Sequence, residues 1–442
     1  MLALSCRHCA AGCGPCRFGR RRFGQCRSRS RSETVRGPRE GEEGRNEETG
    51  NDENEVGSSQ PIARHAQGTV TATTTTHFHF MTLALRLAAK GRGKTSPNPM
   101  VGALVVKNGR IVGQGYHRGP GQPHAEILAL KQAGLRAKDA ILYVTLEPCC
   151  HLLKRTPPCV PTVIQSGVRE VVVAMTDPNP LVKGRGVAAL RKAGIVVMTG
   201  VGREGAAELN RAYLHWVTTG RPYVILKAGM TLDGKVATAQ GESQWITGPL
   251  ARRAVHRLRS QVDAVLVGVG TVLKDNPSLT ARLSDRPLKL ASKQPLRVVL
   301  DSQLRTPAKA KVCAGQDVAK TVIASTGRAA EARHRSLGQA GVEVLSLPAK
   351  SGRVSLAALL MLLGKRGVTS VLIEGGSTLN AAALRAKLVN HVLLYLAPTL
   401  MGGQDARAVI GGRSPKRLAQ ALALHHVTVR RIGDDMVVEG DL

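Results

Sequence analysis

Three short clusters in this chain carry residues that can do chemistry together. Pro123-His124-Ala125-Glu126 offers an imidazole and, two positions on, a carboxylate. Glu147-Pro148-Cys149-Cys150-His151 and Pro157-Pro158-Cys159 add two or three thiols. One imidazole with thiolates is a donor set for a four-coordinate zinc ion that keeps a position open. A carboxylate that is not itself a ligand can pass a proton from a metal-activated water to a leaving amine, the His-x-Glu logic of zinc deaminases. His124, Cys149 and Cys159 are therefore candidate zinc ligands, and Glu126 is the candidate acid–base group. Taken singly, each residue has a blander role, since free cysteine is a common small core residue. The joint pattern points to a zinc hydrolase acting on an amino-bearing heterocycle.

The surrounding pattern supplies elements to position these groups. Residues 101–107 and 111–116 read as strands joined by the turn Asn108-Gly109. Residues 124–133 read as a helix ended by Gly134. An apolar strand over 140–146 leads into Glu147-Pro148-Cys149, and a short helix over 159–166 starts at Cys159. His124 and Cys159 thus fall at helix N-termini, where the backbone dipole also favours a thiolate. A strand over 170–175 follows, then helices over 187–193 and 204–215 around a strand over 195–199. Thr218-Thr219-Gly220-Arg221-Pro222 reads as a domain boundary. Beyond it, strands over 223–228, 264–269, 297–300, 321–324, 371–373 and 391–396 alternate with helices over 249–260, 356–365 and 377–387. This is a second α/β domain. Gly375-Gly376, ahead of the last of these helices, is either an ordinary strand–helix turn or a backbone cradle for a cofactor phosphate.

Composition narrows the partners. The formal charge is +32, of which only +3 lies in residues 1–80. Aromatic residues make up 2% of the chain, too few for base-stacking platforms, and no Lys/Arg stripe interleaves with aromatics. Small phosphorylated ligands fit this charge better than nucleic acid. No run of roughly 18 apolar residues is present, so no transmembrane helix is expected. Cys6, Cys9, Cys13, Cys16 and Cys26 crowd the N-terminus, and Cys313 stands alone. Thiols at a motif without a secretory signal fit a reducing cytosol. Residues 1–80 run through an Arg/Ser tract, an acidic tract and a Thr tract without periodicity, and disorder is the expectation there. A small zinc knuckle, an organellar transit peptide, or a true start at Met81, where an amphipathic helix begins, are the other readings.

These residues carry a family resemblance. Ser96-Pro97-Asn98-Pro99-Met100-Val101-Gly102, Gly115-Tyr116-His117, His124-Ala125-Glu126, Thr145-Leu146-Glu147-Pro148-Cys149 and Arg155-Thr156-Pro157-Pro158-Cys159 follow in the order of the riboflavin-pathway pyrimidine deaminases. Lys227-Ala228-Gly229-Met230-Thr231-Leu232-Asp233-Gly234-Lys235, Gly241-Glu242-Ser243-Gln244-Trp245-Ile246-Thr247, Asp275-Asn276-Pro277-Ser278-Leu279-Thr280 and Ile373-Glu374-Gly375-Gly376 resemble the reductase half of the same bifunctional family. The resemblance covers residues 81–442. It implies a cytidine-deaminase-like domain over 81–220 and a dihydrofolate-reductase-like domain over 223–442. The first would hydrolyse the exocyclic amine of 2,5-diamino-6-ribosylamino-4(3H)-pyrimidinone 5′-phosphate. The second would reduce the ribosyl chain to ribityl with NADPH. It further implies a cytoplasmic homo-oligomer.

Carried over by position, His124, Cys149 and Cys159 hold zinc and Glu126 moves protons. Asn98 and His117 contact the substrate, and Arg155 faces its phosphate, with Lys154 as the substitute. In the second half Ser243, Arg259, Leu279, Arg282 and Glu374 line the substrate and Lys227 sits near the sugar. Gly229, Trp245, Thr271, Asp275, Ser302 and the Gly376 loop hold NADPH. One departure stands out. The family runs Cys-x8-Cys with a glycine in the loop, whereas Cys149 to Cys159 is Cys-x9-Cys and has none. Either Cys150 ligates instead or the loop bulges and leaves Cys149 in place. The position of Cys149 directly after Glu-Pro favours Cys149. Two other classes remain beside the bifunctional enzyme: a reductase with an inactive deaminase domain, and an RNA base-editing deaminase.

Overall fold

The computed structural model describes residues 66–151, 156–285, 288–291, 293–327 and 330–442. The N-terminal sheet has five strands: β1 (Gly102–Lys107), β2 (Arg110–Tyr116), β3 (Ile141–Val144), β4 (Glu170–Val173) and β5 (Val196–Thr199), in the order β2-β1-β3-β4-β5. Both Asn108 and Gly109 take positive φ, as a two-residue hairpin between right-twisted strands requires. Strands β3, β4 and β5 run parallel, and β1 opposes its neighbours. Alternation along β1 divides the core in two. Ala103 and Val105 face the helices α2 (Ala125–Ala133), α3 (Cys159–Gln165) and α4 (Arg185–Lys192), while Leu104 and Val106 face α1 (Ala66–Ala88).

Two expected boundaries are corrected. The helix expected from Met81 starts at Ala66, inside the stretch expected to be disordered. His77 and Phe80 from that stretch are buried, and His77 Nδ1 lies 2.8 Å from Tyr143 Oη. A threonine-rich sequence hid the helix, because β-branched residues are weak helix formers and only tertiary packing overrides them. The single helix expected over 204–215 is two, α5 (Arg203–Leu209) and α6 (Arg211–Thr219). Asn210 breaks it. Its side chain accepts from Met100 N at 2.7 Å and donates to Met100 O at 3.0 Å, which holds the backbone at φ −106° and ψ 15°.

The second sheet has nine strands: β6 (Tyr223–Thr231), β7 (Ala264–Gly268), β8 (Leu296–Leu300), β9 (Thr321–Ser325), β10 (Glu343–Ser346), β11 (Ser370–Ile373), β12 (His391–Ala397), β13 (His425–Ile432) and β14 (Asp435–Asp441). Their order is β10-β9-β8-β7-β11-β6-β12-β14-β13. The first seven in that order are parallel, and the β13–β14 hairpin closes the edge antiparallel. Helices α7 (Pro249–Arg259), α8 (Val269–Asp275), α9 (Glu331–Gln339), α10 (Leu356–Lys365) and α11 (Ser377–Arg385) connect the parallel strands or flank them. Central strands are apolar on both faces, as a covered parallel sheet demands.

The two sheets lie in one unit, residues 64–442. Asp263, just ahead of β7, gathers the junction. Its Oδ2 accepts from Ser96 Oγ of the first sheet's domain at 2.7 Å, and from Thr369 N and Oγ1 at 2.9 and 2.7 Å. Lys293 Nζ reaches Oδ1 at 2.7 Å. Burial opposes ionisation of this carboxyl, but Lys293 and the donors from Ser96 and Thr369 hold its pKa below the ordinary value. Trp216 Nε1 adds a bond to Gly364 O at 2.9 Å.

Candidate active sites

The first site sits where α2 and α3 begin. His124 is the residue before α2, with extended φ and ψ, and Cys159 opens α3. Cys149 follows β3 through Thr145-Leu146-Glu147-Pro148. The ligand atoms of His124, Cys149 and Cys159 all lie within 4.8 Å of one another. His124 Nδ1 is 3.4 Å from Cys149 Sγ and 3.3 Å from Cys159 Sγ. Nε2, on the far side of the ring, lies 3.2 Å from Thr156 Oγ1; a metal-ligating Nδ1 would leave the proton on Nε2 to donate there. Cys149 O accepts from Cys159 N at 3.0 Å and Val160 N at 3.3 Å, capping α3 and holding the two cysteines together. Cys150 stands outside this cluster and packs on the apolar core. Burial, then the Glu147 carboxylate, push its thiol pKa up.

Glu126 lies in the first turn of α2, 3% exposed. Burial, with Cys149 beside it, pushes its carboxyl up. The N-terminus of α2 reaches this depth because β2 presents Gly115, where a Cβ would stand 2.4 Å from Ala125 O. Asn98 Nδ2 donates to His117 Nε2 at 3.0 Å, and His117 Nδ1 faces Pro123 O at 3.4 Å. The His117 ring meets the His124 ring edge-on at 5.1 Å, and burial lowers its pKa, so a neutral imidazole fits the site. Glu147 has a different task from its neighbours. Its carboxylate accepts from Asp177 N, Gly184 N and Val187 N at 3.1, 2.9 and 3.1 Å, which ties the Cys149 turn to the start of α4. Arg155 and Lys154 lie outside the described residues.

The second site is a cleft of about 870 Å³ at the C-terminal ends of the parallel strands. Lys227, Gly229, Ser243, Trp245, Arg259, Thr271, Asp275, Leu279, Arg282, Glu374 and Gly376 all line it. Ser302 does not. Its Oγ accepts from Val354 N at 3.0 Å and its carbonyl from Thr326 Oγ1 at 2.8 Å. Glu374 and Arg259 form a buried, two-point pair at 2.6 and 3.0 Å. Burial alone would raise the Glu374 carboxyl, but Arg259 and Lys227 hold it at about 2. Lys227 Nζ stands farther off, 3.9 Å from Glu374, and there burial wins and lowers the ammonium pKa. Arg259–Glu374 is therefore the pair that fixes local charge. Ser243 Oγ donates to Asp275 Oδ1 at 3.0 Å. Trp245 is 67% exposed at the rim with the Arg252 guanidinium 4.7 Å from its ring centre. Gly375 and Gly376 lead into α11, whose N-terminus opens on the cleft.

Sequence reasoning missed Thr156, Arg252 and His256. Burial, with the neighbouring Arg259 and Arg282 guanidiniums, holds the His256 imidazole at about 4. Its spacing three residues before Arg259 on one helix was the available signal.

The fold and the two sites define a two-domain protein, a deaminase-type domain with a His-Cys-Cys cluster joined to a reductase-type domain with a basic cleft. The family model for the cytidine and deoxycytidylate deaminase zinc-binding region matches residues 74–175, and that for the RibD C-terminal domain matches 222–438. The chain is 44% identical over 345 residues to the riboflavin biosynthesis protein RibD of Actinobacillus pleuropneumoniae, covering 78% of this chain and 90% of that one. A structure of Acinetobacter baumannii RibD, form 2, matches at TM-score 0.74 and 38% identity, over 84% of this chain and 100% of that one. A Thermotoga maritima structure described as a diaminohydroxyphosphoribosylaminopyrimidine deaminase/5-amino-6-(5-phosphoribosylamino)uracil reductase matches at TM-score 0.73 and 35% identity, over 84% and 99%. The chain belongs to the RibD family of bifunctional riboflavin biosynthesis proteins.

Proposed function

We propose that residues 81–220 deaminate 2,5-diamino-6-ribosylamino-4(3H)-pyrimidinone 5′-phosphate with zinc, and that residues 223–442 reduce the product's ribosyl chain with NADPH. The convergence of His124, Cys149 and Cys159 carries the first half. Two sulfurs and an imidazole nitrogen suit zinc and leave its fourth position open. When bound, zinc supplies Lewis acidity and a water acidic enough to attack near neutral pH. With zinc held by His124, Cys149 and Cys159, Glu126, buried beside the cluster in the first turn of α2, would be placed to accept a proton from the activated water and hand it to the departing amine nitrogen. Neutral His117, held by Asn98, orients the pyrimidine against Glu126.

In the second half, the α11 N-terminus and its glycine pair suit cofactor phosphate, with Trp245, Thr271 and Asp275 along the same wall. Arg282 and Arg259 face the substrate phosphate side, while Ser302 lies outside the cleft lining. Burial makes Lys227 readier to release a proton to the sugar as hydride arrives. Zinc-bound thiolates and NADPH fit a cytoplasmic enzyme. The test is metal analysis with separate assays of the two reactions. The expected result is about one zinc per chain, both turnovers in the wild type, and loss of deamination alone in Glu126→Ala. Bound zinc without deamination would replace this reading with a reductase on a structural zinc domain.

A further inference from the structure

His256 sits in the reductase cleft but is neither part of the sequence motifs nor used in the reaction above. It leaves α7 on the same face as Arg259, and it is 9% exposed. Both ring nitrogens face fixed partners. Nδ1 lies 3.2 Å from Thr280 O and 3.3 Å from the Arg282 backbone N, while Nε2 lies 2.9 Å from Arg282 Nη2 and 3.3 Å from Arg282 Nε. A carbonyl only accepts and a guanidinium only donates. Two guanidinium donors converge on Nε2, one at 2.9 Å, against a single backbone N–H at 3.3 Å from Nδ1; the tautomer that serves more of these contacts keeps the lone pair on Nε2, facing Arg282, and the proton on Nδ1, toward Thr280 O. Thr280 O also accepts from Arg259 Nη1 at 3.0 Å, so the whole α7 face grips this wall.

We propose that His256 is a positioning residue for the reductase reaction, its neutral Nε2 clamping one edge of Arg282 and aiming that guanidinium at the substrate phosphate. The inference rests on the reading of the cleft as the reductase site. An untethered arginine samples many rotamers and loses that freedom when an anion binds. A guanidinium already held along its Nε–Nη2 edge loses less, which strengthens binding without new contacts. The clamp acts on substrate capture rather than on hydride transfer.

The test compares His256→Leu with His256→Gln in the full chain, since the glutamine amide oxygen can reach the place of Nε2. Reductase kinetics are measured with the phosphorylated substrate and its dephosphorylated counterpart, alongside inhibition by inorganic phosphate. His256→Leu should raise KM for the phosphorylated substrate about tenfold or more, with kcat within about twofold. His256→Gln should recover most of that loss. KM for the dephosphorylated compound should not move, and phosphate inhibition should weaken. An unchanged KM in His256→Leu overturns the proposal. So does an equal rise for both substrates, which reports general disruption of the cleft. If the wild-type chain lacks reductase turnover, the reading of the cleft fails instead. Phosphate titration then still decides the clamp, because equal affinity in wild type and His256→Leu overturns it.

Discussion

At the scale of single residues, the two neighbouring thiols Cys149 and Cys150 have opposite surroundings. Cys149 Sγ faces His124 Nδ1, whereas Cys150 packs on apolar core with its thiolate disfavoured by burial and Glu147. Cys149→Ser should therefore lose bound zinc, while Cys150→Ser should keep it; metal content after gel filtration reads the difference. Thr156 acts one step further out, through His124 Nε2. Thr156→Val should weaken zinc affinity about tenfold or more, and Thr156→Ser should restore it, read by competition with a chromophoric chelator. Glu374 gives a stability prediction. Its folded pKa of about 2 lies below the ordinary glutamate value of 4.5. The stabilisation is thus present above pH 4.5 and is lost as pH falls toward 2. Glu374→Gln leaves Arg259 buried without its carboxylate and should cost about 3–5 kcal/mol in denaturant unfolding at neutral pH. That loss should shrink as the wild type is acidified through the same window.

At the scale of elements, the site depends on how closely helices approach strands and turns. Gly186, in the first turn of α4, would place a Cβ 2.1 Å from Pro148 O. Gly186→Ala should push α4 off the Glu147 turn, cost about 1–3 kcal/mol, and lower zinc affinity while reductase kinetics stay unchanged. The helices and strands around the His124–Cys149–Cys159 cluster were legible in the sequence because both periodicities are clean there. His124 and Cys159 follow directly from strand–helix junctions. What stayed hidden was decided by tertiary contacts. The upstream turns of α1 are threonine-rich and gain their stability from burying His77 and Phe80. Asn210 breaks a continuous helical pattern through a bond to Met100, more than a hundred residues away in the chain. The hairpin β13–β14 escaped because β13 lies at the sheet edge and exposes residues on both faces, so no alternation marks it. Thr156 was quoted within a motif, yet its role needs the His124 tautomer, which spacing cannot report.

At the scale of the molecule, the two active sites share one unit but no catalytic group. Stripping the metal with a strong chelator should abolish deamination and leave reduction intact, measured in the same sample. The halves are joined through Asp263, whose carboxylate takes bonds from Ser96 on one side and Thr369 on the other. Asp263→Ala removes this buried hub and should cost about 3 kcal/mol. It should also split a single calorimetric transition into two. The positive charge, read from composition as suited to small phosphorylated ligands, includes a cleft lined with Lys227, Arg259, Lys274, Arg282 and Arg407.

The carbonyl of Cys149 has a consequence for protein engineering. By capping α3 itself, it closes the gap between the two cysteines with backbone bonds that do not pass through the intervening segment. The approach of Cys149 to Cys159 is thereby held by bonds that the intervening segment does not make. A short flexible peptide spliced between His151 and Thr156 should leave the His124–Cys149–Cys159 cluster intact. The site is thus a place to graft an affinity tag or a fluorophore.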